Sequence, residues 1–319
     1  MSILSMAREP VVARASDGWR LRGEALLPAV PKAVAVLTHA MMVNRRSMDR
    51  PPGAGLASHL VGEGLAVLNF DLRGHGKSGP TAREGAHYLY DDFVRFDLPA
   101  VVAEARARFP GLHVAVVGHS LGGHTALFAA ALLPERAPDS IVAVAANMWL
   151  PSLEPSGARR IAKGLALRVW LGMTIPRGRF DPRWLRVGTD AEPLTYVRAF
   201  ASAYRRDRLA SLDDRIDYMK ALENLRLPVL SITSVGDRFF AHPAAVAGFF
   251  AHASRAEVTH RCIRDGEFGG WAPSHMGLVT DARSRPLWSE IATWIKARAA
   301  QPPPFPPPPP QCTTKPRLP

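Results

Sequence analysis

Five residues, Gly118-His119-Ser120-Leu121-Gly122, constrain this chain more than any other stretch. They stand between the apolar run His113-Val114-Ala115-Val116-Val117 and the small-residue run Gly123-His124-Thr125-Ala126-Leu127-Phe128-Ala129-Ala130. The first run reads as a buried strand and the second as a helix, so the five residues make the sharp turn between them. The two glycines let neighbouring backbone approach closely, and a serine on such a turn stands clear of the sheet. That serine also lies at the positive end of the helix, where the Leu121 N–H can face an oxyanion.

The same alternation runs through the rest of the chain. Strand-like segments at 11–15 and 20–27 are joined by the turn Ser16-Asp17-Gly18. Residues 33–38 and 65–70 are apolar runs suited to buried strands, with a helix through Leu56, Ala57, Leu60 and Val61 between them. Residues 91–109 read as a helix interrupted near its start by Pro99 and stopped by Pro110-Gly111. Beyond the serine helix come a strand at 141–146, a strand at 228–234, a helix at 243–252, a strand at 256–263 and a helix at 285–300. Residues 151–220 break the rhythm with helical patches at 161–171 and 194–208, and read as a cap inserted over the strand ends. The expected class is α/β, a mostly parallel, doubly wound sheet with a helical cap insertion. Residues 1–150 and 221–300 form its core and 151–220 the cap. Residues 301–319, of which 10 are proline, form a proline-rich disordered tail.

Composition removes several other classes. No window approaches the roughly 20 uninterrupted apolar residues of a membrane span, and residues 1–10 lack the apolar segment of a signal peptide. Cys262 and Cys312 lie in unlike contexts, so neither a disulfide framework nor a metal cluster is expected, and a reducing cytoplasm is the default location. The net charge of +12 raises nucleic acid as a partner. However, the arginines are spread out, and the densest region, 158–220, mixes 14 basic with 7 acidic side chains. That pattern suits a solvated, ion-paired surface, and no nucleic-acid-binding signature accompanies it.

The polar motifs all follow strands, at the carboxyl ends where ligands collect in open parallel sheets. A serine hydroxyl needs a positioned base, and the base needs an orienting acid. Of 11 histidines, His275 in Pro273-Ser274-His275-Met276-Gly277 is the candidate base, because it follows the last strand on a loop able to reach over the strand ends. His119 and His124 neighbour the serine, but the turn directs them away from proton transfer. His39 is expected to shape an oxyanion loop, and His75 to be structural. Asp237, in Ser234-Val235-Gly236-Asp237-Arg238-Phe239, is the candidate acid, with Asp265 and Glu267 as competitors nearer to His275 in sequence. The backbone N–H groups of Leu121 and Met41 are expected to bind the oxyanion. Met42, Met148 and Met276, with His119, Trp149 and Trp170, are expected to line an apolar substrate pocket. No metal or organic cofactor is needed for this chemistry.

Thr38-His39-Ala40-Met41, Asp71-Leu72-Arg73-Gly74-His75-Gly76-Lys77-Ser78, the serine turn, Gly236-Asp237-Arg238-Phe239 and His275-Met276-Gly277 occur in that order across residues 20–300. In these pieces the chain resembles the α/β-hydrolase superfamily, specifically the capped esterase- and lipase-like members grouped with the serine aminopeptidases. The resemblance implies the α/β-hydrolase fold and a triad of Ser120, Asp237 and His275. A serine at the turn, rather than an aspartate, sets the chain apart from the dehalogenase and epoxide-hydrolase branches. One departure stands out. The family's usual glycine after the first histidine is Ala40 here, and alanine would be strained if the turn needs a positive φ at that position.

The expected function is a serine hydrolase acting on a small or medium carboxylic ester through an acyl-enzyme. Acyl transfer to another acceptor would use the same residues. An aminopeptidase would want a carboxylate near the cap to hold the substrate amine, for which Glu154, Asp190 and Glu192 are available. A non-catalytic binding module on the same fold is the remaining alternative, and the complete set of triad residues argues against it.

Overall fold

A computed structural model describes residues 7–301 of the chain. The proline-rich stretch 302–319, with Cys312, lies outside the described residues, as do residues 1–6. The apolar runs become β1 (Ala7–Arg14), β2 (Arg20–Leu27), β3 (Val34–Thr38), β4 (Ala66–Phe70), β5 (Val114–His119) and β6 (Ser140–Val144). Two short strands, β7 (Arg179–Phe180) and β8 (Glu192–Pro193), precede β9 (Pro228–Ser234) and β10 (Glu257–Ile263). Eight of these form one sheet in the order β1-β2-β4-β3-β5-β6-β9-β10, while β7 and β8 pair only with each other. The β1–β2 and β2–β4 pairs are antiparallel, and every other pair in the large sheet is parallel. The strands from β4 through β9 are buried on both faces, which is why they read as unbroken apolar runs.

The helices are α1 (Leu56–Gly62), α2 (Tyr90–Asp92), α3 (Leu98–Arg108), α4 (Leu121–Leu132), α5 (Gly157–Thr174), α6 (Leu194–Arg206), α7 (Tyr218–Ala221), α8 (Pro243–Phe250), α9 (Gly277–Thr280) and α10 (Arg285–Ala299). Right-handed crossovers fix which face each one covers. The β3–α1–β4 step runs toward one edge of the sheet, while β4–α3–β5, β5–α4–β6 and β9–α8–β10 run toward the other. Hence α1 lies on one face, where α10 joins it, and α3, α4 and α8 lie on the opposite face. The chain reverses direction between β3 and β5, so the carboxyl ends of those two strands flank the crevice of the sheet. No helix among the described residues is long and apolar enough to cross a membrane.

Several boundaries differ from the sequence expectation for local physical reasons. The helix expected at 91–109 is split by a wide π turn, Phe93–Asp97, ahead of α3. Pro99 has no N–H to donate and its ring crowds the carbonyl four residues back, so the preceding backbone widens. The strand expected at 141–146 stops at Val144, because Ala145 takes a left-handed φ of 50°. The helix expected to reach 208 ends at Arg206, where Asp207 adopts a left-handed φ of 50°. The patch expected at 161–171 extends in both directions as α5, started by Ser156, whose side chain accepts the Arg159 N–H. Between β6 and β9, α5 packs against α6.

Candidate active site

Thr38 and Gly118 are register partners where β3 and β5 end side by side. Ser120 follows β5 with φ 51° and ψ −110°, a conformation that an L residue holds only when its surroundings impose it. They do so from several sides. The Ser120 N–H donates to the Val144 carbonyl at 2.9 Å, Gly122 donates to the His39 carbonyl at 3.1 Å, and Gly123 and His124 both donate to the Ser120 carbonyl at 3.0 Å. A Cβ at position 122 would sit 2.5 Å from the Thr38 carbonyl oxygen, and one at 118 would sit 2.4 Å from the Gly122 carbonyl oxygen. Close approach therefore demands both glycines, and Ser120 is half-buried between the buried His119 and Leu121.

His275 lies just before α9, and its Nδ1 meets Asp237 Oδ2 at 2.6 Å. The other Asp237 oxygen accepts the Phe240 N–H at 3.0 Å. Burial alone would raise the Asp237 carboxyl. The hydrogen bond and charge of His275, with backbone N–H groups, outweigh burial and keep it below the usual carboxylate range. An ionised Asp237 at Nδ1 places the ring proton there and leaves Nε2 as the acceptor. The structure brings Asp237 to His275 and leaves its competitors elsewhere: Asp265 is exposed, and Glu267 pairs with Arg261 at 2.6 Å. His119 Nε2 donates to the His275 carbonyl at 3.0 Å, with the two rings 4.8 Å apart. The Phe240 ring lies 4.9 Å from the His275 ring.

The turn after β3 is set by His39. Its Nε2 accepts the Leu72 N–H at 3.0 Å, so Nδ1 carries the proton and donates to the Ala40 carbonyl at 2.8 Å. Burial, together with the nearby His75 charge, lowers its pKa to about 4 and keeps the ring neutral. The strain feared at Ala40 does not arise there. The left-handed residue of this turn is Met42, with φ 62°. The Met42 N–H donates to Glu192 Oε1 at 2.8 Å, and its carbonyl accepts the N–H groups of Thr189 at 2.8 Å and Asp190 at 3.0 Å. Among the described residues, the N–H groups of Met41 and Leu121 have no protein acceptor.

Glu192 is a participant that sequence reading leaves unplaced. His75 Nε2 donates to its Oε1 at 3.0 Å, the Tyr88 hydroxyl donates to its Oε2 at 3.0 Å, and His75 Nδ1 donates to the Arg73 carbonyl at 2.8 Å. Burial pulls the His75 pKa down, but the Glu192 carboxylate more than reverses this, to about 9. Asp190 accepts the Gly76 N–H at 2.8 Å and the Asn44 amide at 2.7 Å. Glu154 pairs with Lys163 and, at 3.1 Å, with Arg159. All three carboxylates set aside for a substrate amine are thus buried and already engaged. The only sequence signal for Glu192 is that it and Asp190 are the sole acids between positions 182 and 206.

Two of the expected pocket residues come together. Trp149 stacks on Trp170 at 5.6 Å, and its Nε1 donates to the Phe240 carbonyl at 2.9 Å. The Lys163 ammonium lies 4.6 Å above the Trp149 ring. This links the pair, through Phe240, to His275. Met276 and Met41 are half-buried, whereas Met42, Met148 and His119 are buried. His124 points away from the serine, into a buried 2.6 Å contact with the Tyr90 hydroxyl.

Comparison with known proteins bears on the family and the fold. The family model for serine aminopeptidase, S33, matches residues 31–266. A monoglyceride lipase homolog of monkeypox virus is 21% identical over 276 residues, covering 83% of this chain and 90% of its own. The esterase Pf2001 of Pyrococcus furiosus superposes with a TM-score of 0.60 at 18% identity, over 92% of this chain and 91% of its own. The alpha/beta hydrolase GrgF of Penicillium sp. sh18 does so with a TM-score of 0.61 at 16% identity, over 92% of this chain and 100% of its own. These likenesses and the strand order identify the α/β-hydrolase fold.

Proposed function

The chain belongs to the serine aminopeptidase S33 family of α/β hydrolases, and we propose that it cleaves a small or medium carboxylic ester through an acyl-enzyme. In this reading Ser120 Oγ attacks the ester carbonyl while His275 Nε2 takes its proton, and Asp237 stabilises the resulting imidazolium. The Leu121 and Met41 N–H groups receive the oxyanion. His275 then protonates the leaving alcohol, the acyl group stays on Ser120, and water activated by the same histidine releases the acid. The observation that carries this reading is the 2.6 Å bond from His275 to Asp237, with the His275 ring 4.8 Å from that of His119, the residue just before a serine held at φ 51°.

Residues 151–220 serve as the cap over the strand ends in this mechanism. Trp149, Trp170 and Met276 supply the apolar wall of the acyl pocket, with Met42, Met148 and His119 supporting it from behind. An ester is favoured over a peptide N-terminus because Glu154, Asp190 and Glu192 are each committed to protein partners. The names of the relatives, an esterase and a monoglyceride lipase homolog, point the same way. Hydrolysis of p-nitrophenyl esters of graded acyl length, beside aminoacyl p-nitroanilides, tests the assignment. The expected result is stoichiometric release of free acid from the esters, with no turnover of the anilides. Anilide turnover without ester turnover would reverse the assignment.

A further inference from the structure

Each peptide plane around Met41 is held by a separate group. The plane between Ala40 and Met41 contains the Met41 N–H, and its carbonyl end is fixed by His39 Nδ1 at 2.8 Å. Because the peptide is planar, anchoring the carbonyl aims the N–H. The next plane, between Met41 and Met42, is fixed at its N–H by Glu192 Oε1 at 2.8 Å. The following carbonyl, that of Met42, is fixed by Thr189 at 2.8 Å and Asp190 at 3.0 Å. Met42 meanwhile holds a left-handed φ of 62°, a conformation that is strained for a residue with a Cβ.

The clasp that imposes this lies far away in sequence, at 188–192. Its approach needs Gly188, where a Cβ would come within 2.4 Å of the Met42 carbonyl oxygen. Glu192 is buried, and its carboxylate is itself held by His75 and Tyr88 at 3.0 Å each. A buried carboxylate with three protein donors on two oxygens has little freedom to move, which suits a fixed aiming device.

We propose that Glu192 is a positioning residue that, through the Met42 N–H, aims the Met41 N–H at the oxyanion. The inference rests on the serine-hydrolase reading above. It makes the cap segment part of the machinery for charge stabilisation as well as a lid, because that segment supplies the clasp. Its signature is a loss confined to the transition state, since the substrate ground state does not depend on the aim of that N–H.

The test uses the full chain carrying Glu192→Ala, Glu192→Gln or Gly188→Ala, with active sites counted by the end point of fluorophosphonate labelling. Glu192→Ala is expected to lower kcat per counted site by about 10- to 100-fold with KM within about threefold. The inhibition constant of an aryl trifluoromethyl ketone, which binds as a tetrahedral oxyanion, should rise in step. Glu192→Gln keeps an acceptor oxygen for Met42 and should recover to within about fivefold of wild type. Gly188→Ala displaces the clasp without touching the carboxylate and should reproduce the loss, which keeps the test decisive if Glu192→Ala folds poorly. The inference is overturned if the variants lower only the melting temperature and the number of counted sites, while kcat per site stays within about twofold. A wild-type chain that neither labels nor turns over an ester would overturn the hydrolase reading and this inference with it. A labelled, active wild type beside unaffected variants would overturn this inference alone.

Discussion

Asp237 meets the His275 ring with one oxygen and the Phe240 N–H with the other, so both its acceptor sites are aimed. Asp237→Asn keeps the shape but offers His275 the wrong partner, and the ring can then flip to the unproductive tautomer. kcat/KM for an ester should fall by roughly 10³- to 10⁴-fold with the thermal midpoint nearly unchanged. A fall below tenfold would show that another group orients the ring. At this scale much of the candidate site was legible, because Ser120, Asp237 and His275 each follow a strand and carry glycine-containing turns. Glu192 was not legible, since its partners His75, Tyr88 and Met42 lie more than 100 positions away and only the fold brings them together. That Met42 is the left-handed residue of its turn was hidden for a related reason. The sequence marks where glycine is missing, whereas bonding to the 188–192 segment decides where φ turns positive.

Among the elements, α5 grips the loop that carries Asp237. Arg159 donates to the Phe239 carbonyl at 3.2 Å and also to that of Arg238, while Lys163 reaches the Phe240 carbonyl at 3.4 Å. Glu154 pairs with both cations, one at each of its oxygens. Removing one partner of a buried pair strands the other, but the two ends of this pair are not equivalent. Lys163→Met leaves Glu154 with Arg159, whereas Glu154→Leu leaves Lys163 buried without an acid. Urea denaturation should show Glu154→Leu costing about 3 kcal/mol and Lys163→Met clearly less. Equal costs would contradict this reading of the cluster. The alternation of strands and helices was plain from the sequence, because strands buried on both faces must be apolar throughout. Inside residues 151–220 the pattern was weaker. There α5 is held by a buried ion pair and aromatic stacking, and β7 and β8 are too short to leave a periodic signal.

Across the whole molecule, buried histidines of opposite character shape the dependence of stability on pH. Burial lowers His39 to about 4 and His124 to about 3, so below about pH 6.5 the unfolded chain takes up protons that the folded chain refuses. Asp97, raised to about 6 chiefly by burial, takes up a proton when folded and offsets one of these. His75 is raised to about 9, so its contribution is full below about pH 6.5 and is lost as pH climbs through 9. The melting temperature should therefore peak near pH 6 to 6.5 and decline on both sides. His75→Gln should remove the alkaline decline between about pH 6.5 and 9. An alkaline limb unchanged in that variant would assign the decline to other groups.

Activation of Ser120 as a nucleophile is read out by labelling the full chain with a fluorophosphonate probe beside Ser120→Ala and His275→Ala. Rapid, stoichiometric labelling of the native chain is expected, with none of Ser120→Ala and labelling of His275→Ala slowed by at least roughly 10³-fold. A folded native chain that resists the probe, or a label that survives in Ser120→Ala, would contradict it.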